Sequence, residues 1–166
     1  MGKGGTMNEF DKNWDWQLNL MDDIKEILRK QAMYIVDIQI ANEEDDMKYS
    51  TDLKIKITAG DVAVRIRRDT PFRDFTIRAK NGNSKTEIHK LREGYCDWYL
   101  YCWTKENKIS EWILIDINKM REANLFSEQR PIKMNKDGYT GFVTYTIKEL
   151  EYHSCIISRQ INYNHN

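Results

Sequence analysis

The chain has 166 residues, 40% of them hydrophobic and 31% charged, and its 26 Lys/Arg are matched by 26 Asp/Glu. That length and composition fit one globular domain with a real core and exclude a disordered tail. No apolar run approaches the roughly 18–20 residues needed to cross a bilayer and no signal-peptide segment follows the start, so a soluble, cytoplasmic protein is expected.

Residues 1–12 read as a flexible leader; Met-Gly-Lys-Gly-Gly-Thr fits the loose myristoylation pattern only formally. From Trp14 to about Ala32, Trp16, Leu20, Ile24, Ile27, Leu28 and Gln31 recur at helical spacing, with Asp22, Asp23 and Glu26 early and Arg29 and Lys30 late, as helix polarity favours. Residues 34–41 alternate as a strand, and the acidic run from Asn42 to Asp46 reads as a solvated loop. Leu53, Ile55 and Ile57 alternate on one run and Val62, Val64 and Ile66 on the next, so 52–58 and 62–68 are expected to pair as a hairpin around Ala59-Gly60. That pairing would set Asp52 opposite Arg67 and Lys54 opposite Arg65.

A short strand follows over 74–80, and Ser84 with Glu87 has the capping-box spacing for a helix over 85–93 that Gly94 ends. Residues 95–103 form a dense aromatic strand, Lys105 to Lys108 a hairpin-like loop, and 112–117 another strand. Asn118 is read as the cap of a short helix through Phe126, Asp137-Gly138 as a turn and 141–147 as a strand. Residues 162–166 read as a polar tail, which leaves a single α/β domain over 13–161 with its sheet flanked by the first helix and the helix at 85–93.

The zero net charge hides an asymmetry. Met1 to Ser50 carries 6 Lys/Arg against 11 Asp/Glu, whereas Leu53 to Arg92 carries 11 against 4. A basic middle beside an acidic segment points to a local anionic partner. Cys96, Cys102 and Cys155 are odd in number and lack metal-ligand spacing, which suits a reducing compartment and argues against zinc. No phosphate-binding glycine loop and no Gly-x-Ser-x-Gly elbow is present, so a nucleotide-driven motor and a covalent hydrolase are unsupported.

A helix, three strands, a helix and a further strand, with Asp52 at a strand start and Arg65-Ile66-Arg67 on the next run, resemble the PD-(D/E)XK nuclease superfamily over roughly Trp14 to Trp103. The resemblance implies an αβββαβ restriction-endonuclease-like core with a mixed central sheet, DNA as partner and Mg²⁺ as cofactor. It makes Asp52 a metal ligand. Arg65 stands where the family places the acidic residue of its acidic-x-Lys triplet, and a guanidinium binds phosphate rather than a cation. Because some members carry that carboxylate on the following helix, Glu87 becomes the second metal ligand, with Glu93 behind it; Glu26 matches an acidic residue many members carry on the first helix.

The catalytic expectation is then Asp52, Glu87, Lys90 and Arg67, with Mg²⁺ on Asp52 and Glu87. The expected nucleic-acid-binding set is Arg65, Arg67, Arg68, Arg73, Arg78, Lys80 and Lys85, a run heavier in Arg than in Lys. Trp98 and Leu100 should face one side of their strand and Tyr99 and Tyr101 the other, as core rather than as base-stacking residues, with Asp97 either paired to an Arg or part of the site. Two functions follow: a Mg²⁺-dependent DNA endonuclease or resolvase with a rearranged site, or a catalytically silent nucleic-acid- or protein-binding module of phage or mobile-element type. A homodimer is left open.

Overall fold

The computed structural model describes residues 16–31, 36–40, 53–57, 60–68 and 70–161, with backbone alone for 36–40 and 53–57. The chain divides into two compact units, Met1–Ala59 and Gly60–Asn166. The leader, the acidic loop after Ile40, Asp52 and the polar tail lie outside the described residues.

In the first unit, α1 (Met21–Gln31) carries Asp22 and Asp23 in its first turn and Arg29 and Lys30 in its last. Those charges complement the helix dipole. Glu26 is a solvated helix residue whose carboxylate meets Lys30 Nζ at 2.6 Å, one turn on. β1 (Val36–Ile40) and β2 (Leu53–Ile57) pair antiparallel, with Ile38 opposite Ile55.

The second unit runs β3 (Val62–Arg67), β4 (Phe75–Asn81), α2 (Glu87–Arg92), β5 (Trp98–Lys105), β6 (Lys108–Asp116), α3 (Ile117–Glu122), β7 (Lys133–Met134), β8 (Thr140–Tyr145), α4 (Ile147–Tyr152) and β9 (Ile156–Gln160). A four-stranded sheet has the order β3-β5-β6-β9 and a three-stranded sheet the order β4-β8-β7. The larger sheet is mixed: β3 lies parallel to β5, and the other pairs are antiparallel. A parallel pair needs a long crossover, and here β4 and α2 make it.

The expected hairpin of 52–58 with 62–68 is not the pairing found. β2 pairs with β1, and β3 pairs with β5, which sets Arg65 beside Tyr101 and Arg67 beside Trp103. Gly60 has a different task from turning a hairpin. A Cβ there would fall 2.5 Å from the Trp98 ring and 2.7 Å from Asp97 Oδ2, so only glycine lets the backbone pass. Asp97 then fastens the entry to β3: its Oδ2 accepts the Asp61 N–H at 2.9 Å, and its own N–H donates to Asp61 O at 3.0 Å. Among the described residues it forms no ion pair with an Arg. It is a backbone clamp.

Strand β5 is buried on both faces, as its aromatic run implies. Tyr99, Tyr101 and Trp103 share one face with Ile113 and Ile115 of β6, and Leu100 and Cys102 are buried on the other. Phe75 packs edge-on to Tyr99 and Tyr101 with ring centroids 5.0 and 5.2 Å away, joining the two sheets through one core. Such edge contacts add about 0.5–1.5 kcal/mol beyond area burial. Helix α2 sends Ile88 and Leu91 into that core, and α3 sends Ile117 and Met120.

Two caps differ from expectation. Thr86, not Ser84, caps α2: its N–H donates to His89 Nδ1 at 3.2 Å, and Gly94 ends the turn with φ +99°. Asp116, not Asn118, caps α3, because its Oδ1 accepts the Lys119 N–H at 3.0 Å. The Lys105–Lys108 hairpin agrees with the sequence pattern, with Glu106 and Asn107 both at positive φ as a two-residue primed turn requires.

Candidate nucleic-acid interface

Between the outer strand β3 of the larger sheet, β4 and α2 lies a two-lobed groove. The first lobe, about 520 Å³, is lined by Val64, Arg65, Arg78, Asn81, Lys85, Thr86, Glu87, Lys90 and Tyr99. The second, about 230 Å³, is lined by Arg65, Arg67, Thr76, Arg78, Asn135, Gly141 and Phe142. Arg65 and Arg78 belong to both. Six of the expected residues, Arg65, Arg67, Arg78, Lys85, Glu87 and Lys90, thus come from β3, β4, α2 and the segment before α2 to one surface.

Glu87 is held by three partners. Its Oε2 accepts Arg65 Nη1 at 3.0 Å and the backbone N–H of Arg78 at 3.0 Å, while its Oε1 accepts the Tyr99 hydroxyl. Burial and the Glu87 charge raise the Tyr99 phenol well above its ordinary value, so it keeps its proton and donates. Arg65 also donates to Thr76 O at 3.2 Å. A carboxylate that already accepts from a guanidinium, a phenol and an amide has most of its acceptor sites occupied, which favours a structural role for Glu87 over the metal-ligand role expected of it. It is the anchor that fixes Arg65 against β4 and β5.

The remaining acidic expectations go elsewhere. Asp52 lies outside the described residues. Glu93 binds Lys85, and Asp97 takes the Asp61 N–H. Among the described residues no group of three or more His, Cys, Asp or Glu is placed to hold a metal.

The cations divide into two kinds. Arg73 turns away from the groove to bind Glu111, a buried carboxylate, and lies 5.6 Å over the Trp103 ring. An arginine beside a buried carboxylate is part of the core, so Arg73 leaves the binding set. Lys85 is at the groove wall but is held by Glu93, 5.9 Å over the Tyr95 ring, and its pKa is raised by that hydrogen bond. Arg68 and Lys80 are exposed and line neither lobe. Arg67, Arg78 and Lys90 form no ion pair with a carboxylate among the described residues.

Several residues of the surface are not among those the sequence singles out: Thr76, Asn81, Asn135 and above all Phe142. A signal for Phe142 exists. In β8 Gly141, Val143 and Tyr145 are buried, so Phe142 has the outward parity. Three structural arginines also escape sequence reasoning. Arg92 donates to Phe126 O, Arg121 to Leu91 O and Cys96 O, and Arg130 to Thr144 O and Glu149. No helix among the described residues is long and apolar enough to cross a membrane. Compared with family models, curated proteins and solved structures, the chain matches none.

Proposed function

We propose that this protein binds nucleic acid by its phosphates, along the groove between β3, β4 and α2, as a module without metal-dependent cleavage at Glu87. One observation carries the reading: the Glu87 carboxylate of the groove is paired with Arg65, while Arg67, Arg78 and Lys90 form no ion pair with a carboxylate among the described residues. Guanidinium groups suit phosphate because they give two parallel N–H donors, and the ammonium of Lys90 adds a point charge.

The reading keeps part of the PD-(D/E)XK resemblance, namely the element order from α1 to β5 and a mixed sheet. It sets aside the metal chemistry. Arg65 stands at the acidic position of the triplet, and the acidic residue of the following helix is bound to it. On that resemblance the Arg65–Glu87 charge pair would stand where the family has a carboxylate for a cation. Small regulators of phage or mobile elements are the natural setting for such a module, inside a cell where free thiols persist.

The test is binding measured by fluorescence anisotropy over a salt series. Wild-type protein should hold DNA at low salt and release it steeply. Arg67→Gln, Arg78→Gln and Lys90→Gln together should flatten the log–log slope by about 2–3, since each neutralised phosphate contributes about 0.7–0.9 to it. Affinity unchanged in that triple variant would sink the reading. Cleavage supported by Mg²⁺ or Mn²⁺ and abolished in Glu87→Gln would restore the nuclease in its place.

A further inference from the structure

We infer that the strand bound in this groove is single-stranded nucleic acid, with a base stacked on Phe142; the inference rests on the phosphate-binding reading above and names its ligand. In the three-stranded sheet Phe142 stands opposite Arg78 on one side and opposite Lys133 on the other. Directly paired residues point to the same face, so Arg78, Phe142 and Lys133 form a row across the sheet. The alternation shows which face this is. Phe75, Ile77, Ala79, Val143 and Tyr145 are buried, whereas Arg78 and Lys133 are exposed and Phe142 is half-buried.

An aromatic ring on the outward face of a sheet, with a cation at each side, is what a base and its two flanking phosphates require. The ring stacks the base, and the cations take the backbone charge. Phe142 also lines the second lobe with Arg65 and Arg67 from β3, so the backbone has further cations along one direction. Phe has no hydrogen-bonding atom, and stacking on it is tolerant of base identity. A duplex cannot use this ring, because its base faces are stacked on one another and only its groove edges and phosphates point outward. The phosphate row alone would accept either form. Phe142 selects the open strand.

The experiment uses the full chain and oligonucleotides of about 12 nucleotides, within the span of common single-strand sites. Four probes are compared: single-stranded DNA, the same sequence as RNA, its duplex, and an abasic DNA strand of equal length. The single strands should bind more tightly than the duplex, and wild-type protein should prefer the normal DNA strand over the abasic one by about 5- to 150-fold, the range of one base–aromatic stack. Phe142→Leu should lose that preference, and Phe142→Tyr should retain it. Comparing DNA with RNA fixes which strand is the better ligand.

Equal binding of normal and abasic strands by wild-type protein overturns the inference, even if Phe142→Leu fails to fold. Duplex bound as tightly as single strand overturns it too, and leaves the phosphate reading standing. No binding to any probe removes both.

Discussion

The two sheets of the second unit use similar residues for opposite ends. In the four-stranded sheet β5 has both faces buried, so Tyr99, Tyr101 and Trp103 are core and have no surface to offer. In the three-stranded sheet β4 and β8 alternate strictly, so Phe75 and Tyr145 enter the core while Arg78 and Phe142 point away from it. The arginines follow the same division. Arg73 and Arg78 lie five positions apart in one basic stretch, yet the first is bound to a buried carboxylate and the second lines the groove. Composition therefore does not decide whether an aromatic or a cation is structural. The number of covered faces does.

The widest separation should come from the two phenylalanines. Phe75→Ala removes a fully buried ring that touches Tyr99, Tyr101 and Tyr145, and should cost about 3–5 kcal/mol in urea unfolding, whereas Phe142→Ala should cost about 1 kcal/mol or less. Similar losses at both positions would erase the distinction between the faces.

The arginine pair should separate less. Arg73→Met removes a charged partner of the buried Glu111 and should lower stability by about 1–3 kcal/mol, while Arg78→Met should stay within about 0.5 kcal/mol and weaken nucleic-acid binding instead. Thermal melting and anisotropy on the two variants read these effects independently.

The smallest expected effect concerns pH and the covered side of the small sheet. Arg130 donates to both oxygens of Glu149 at 2.8 and 2.7 Å and lies 3.8 Å over the Tyr145 ring. The Arg130 hydrogen bonds hold the Glu149 carboxyl below its ordinary value of 4.5. A depressed folded value means this stabilisation is fully present above pH 4.5 and is lost as pH falls through the folded value. Glu149→Gln should cost about 1 kcal/mol at neutral pH and flatten the acid limb of the stability curve. An unchanged acid limb would show that Arg130 ties the sheet by its carbonyl bonds and ring contact alone.

Local pattern makes the element order legible from α1 through β6, because period-two and helical spacing are properties of neighbouring residues. Partner choice is not. Two adjacent alternating runs around Ala59-Gly60 read naturally as a hairpin, but β3 finds β5, more than 30 positions on, and Gly60 is explained by the ring of Trp98. The same holds at the groove. Its cations can be named from the basic stretch, but the pairing of Arg65 with Glu87 crosses from strand to helix and leaves no local trace. Helix α4 is different, since Thr146 and Glu149 carry the capping spacing in plain view, and Thr146 Oγ1 accepts the Glu149 N–H at 3.1 Å. The strand pattern over 141–147 overlaps that cap and masks it, and β9 behind the helix goes with it.

The ladder between β4 and β8 carries a consequence for how the molecule is made. Phe75 pairs with Tyr145 and Arg78 with Phe142, so β4 is synthesised long before its partner exists. Until β8 emerges, β4 has no strand to pair with, and contacts this distant in sequence form slowly because a long loop must first close. The groove is therefore a late product of folding. A nascent chain released before Phe142 would hold the β3 cations without the row that meets them, and such a fragment would have charge but no place to seat a base.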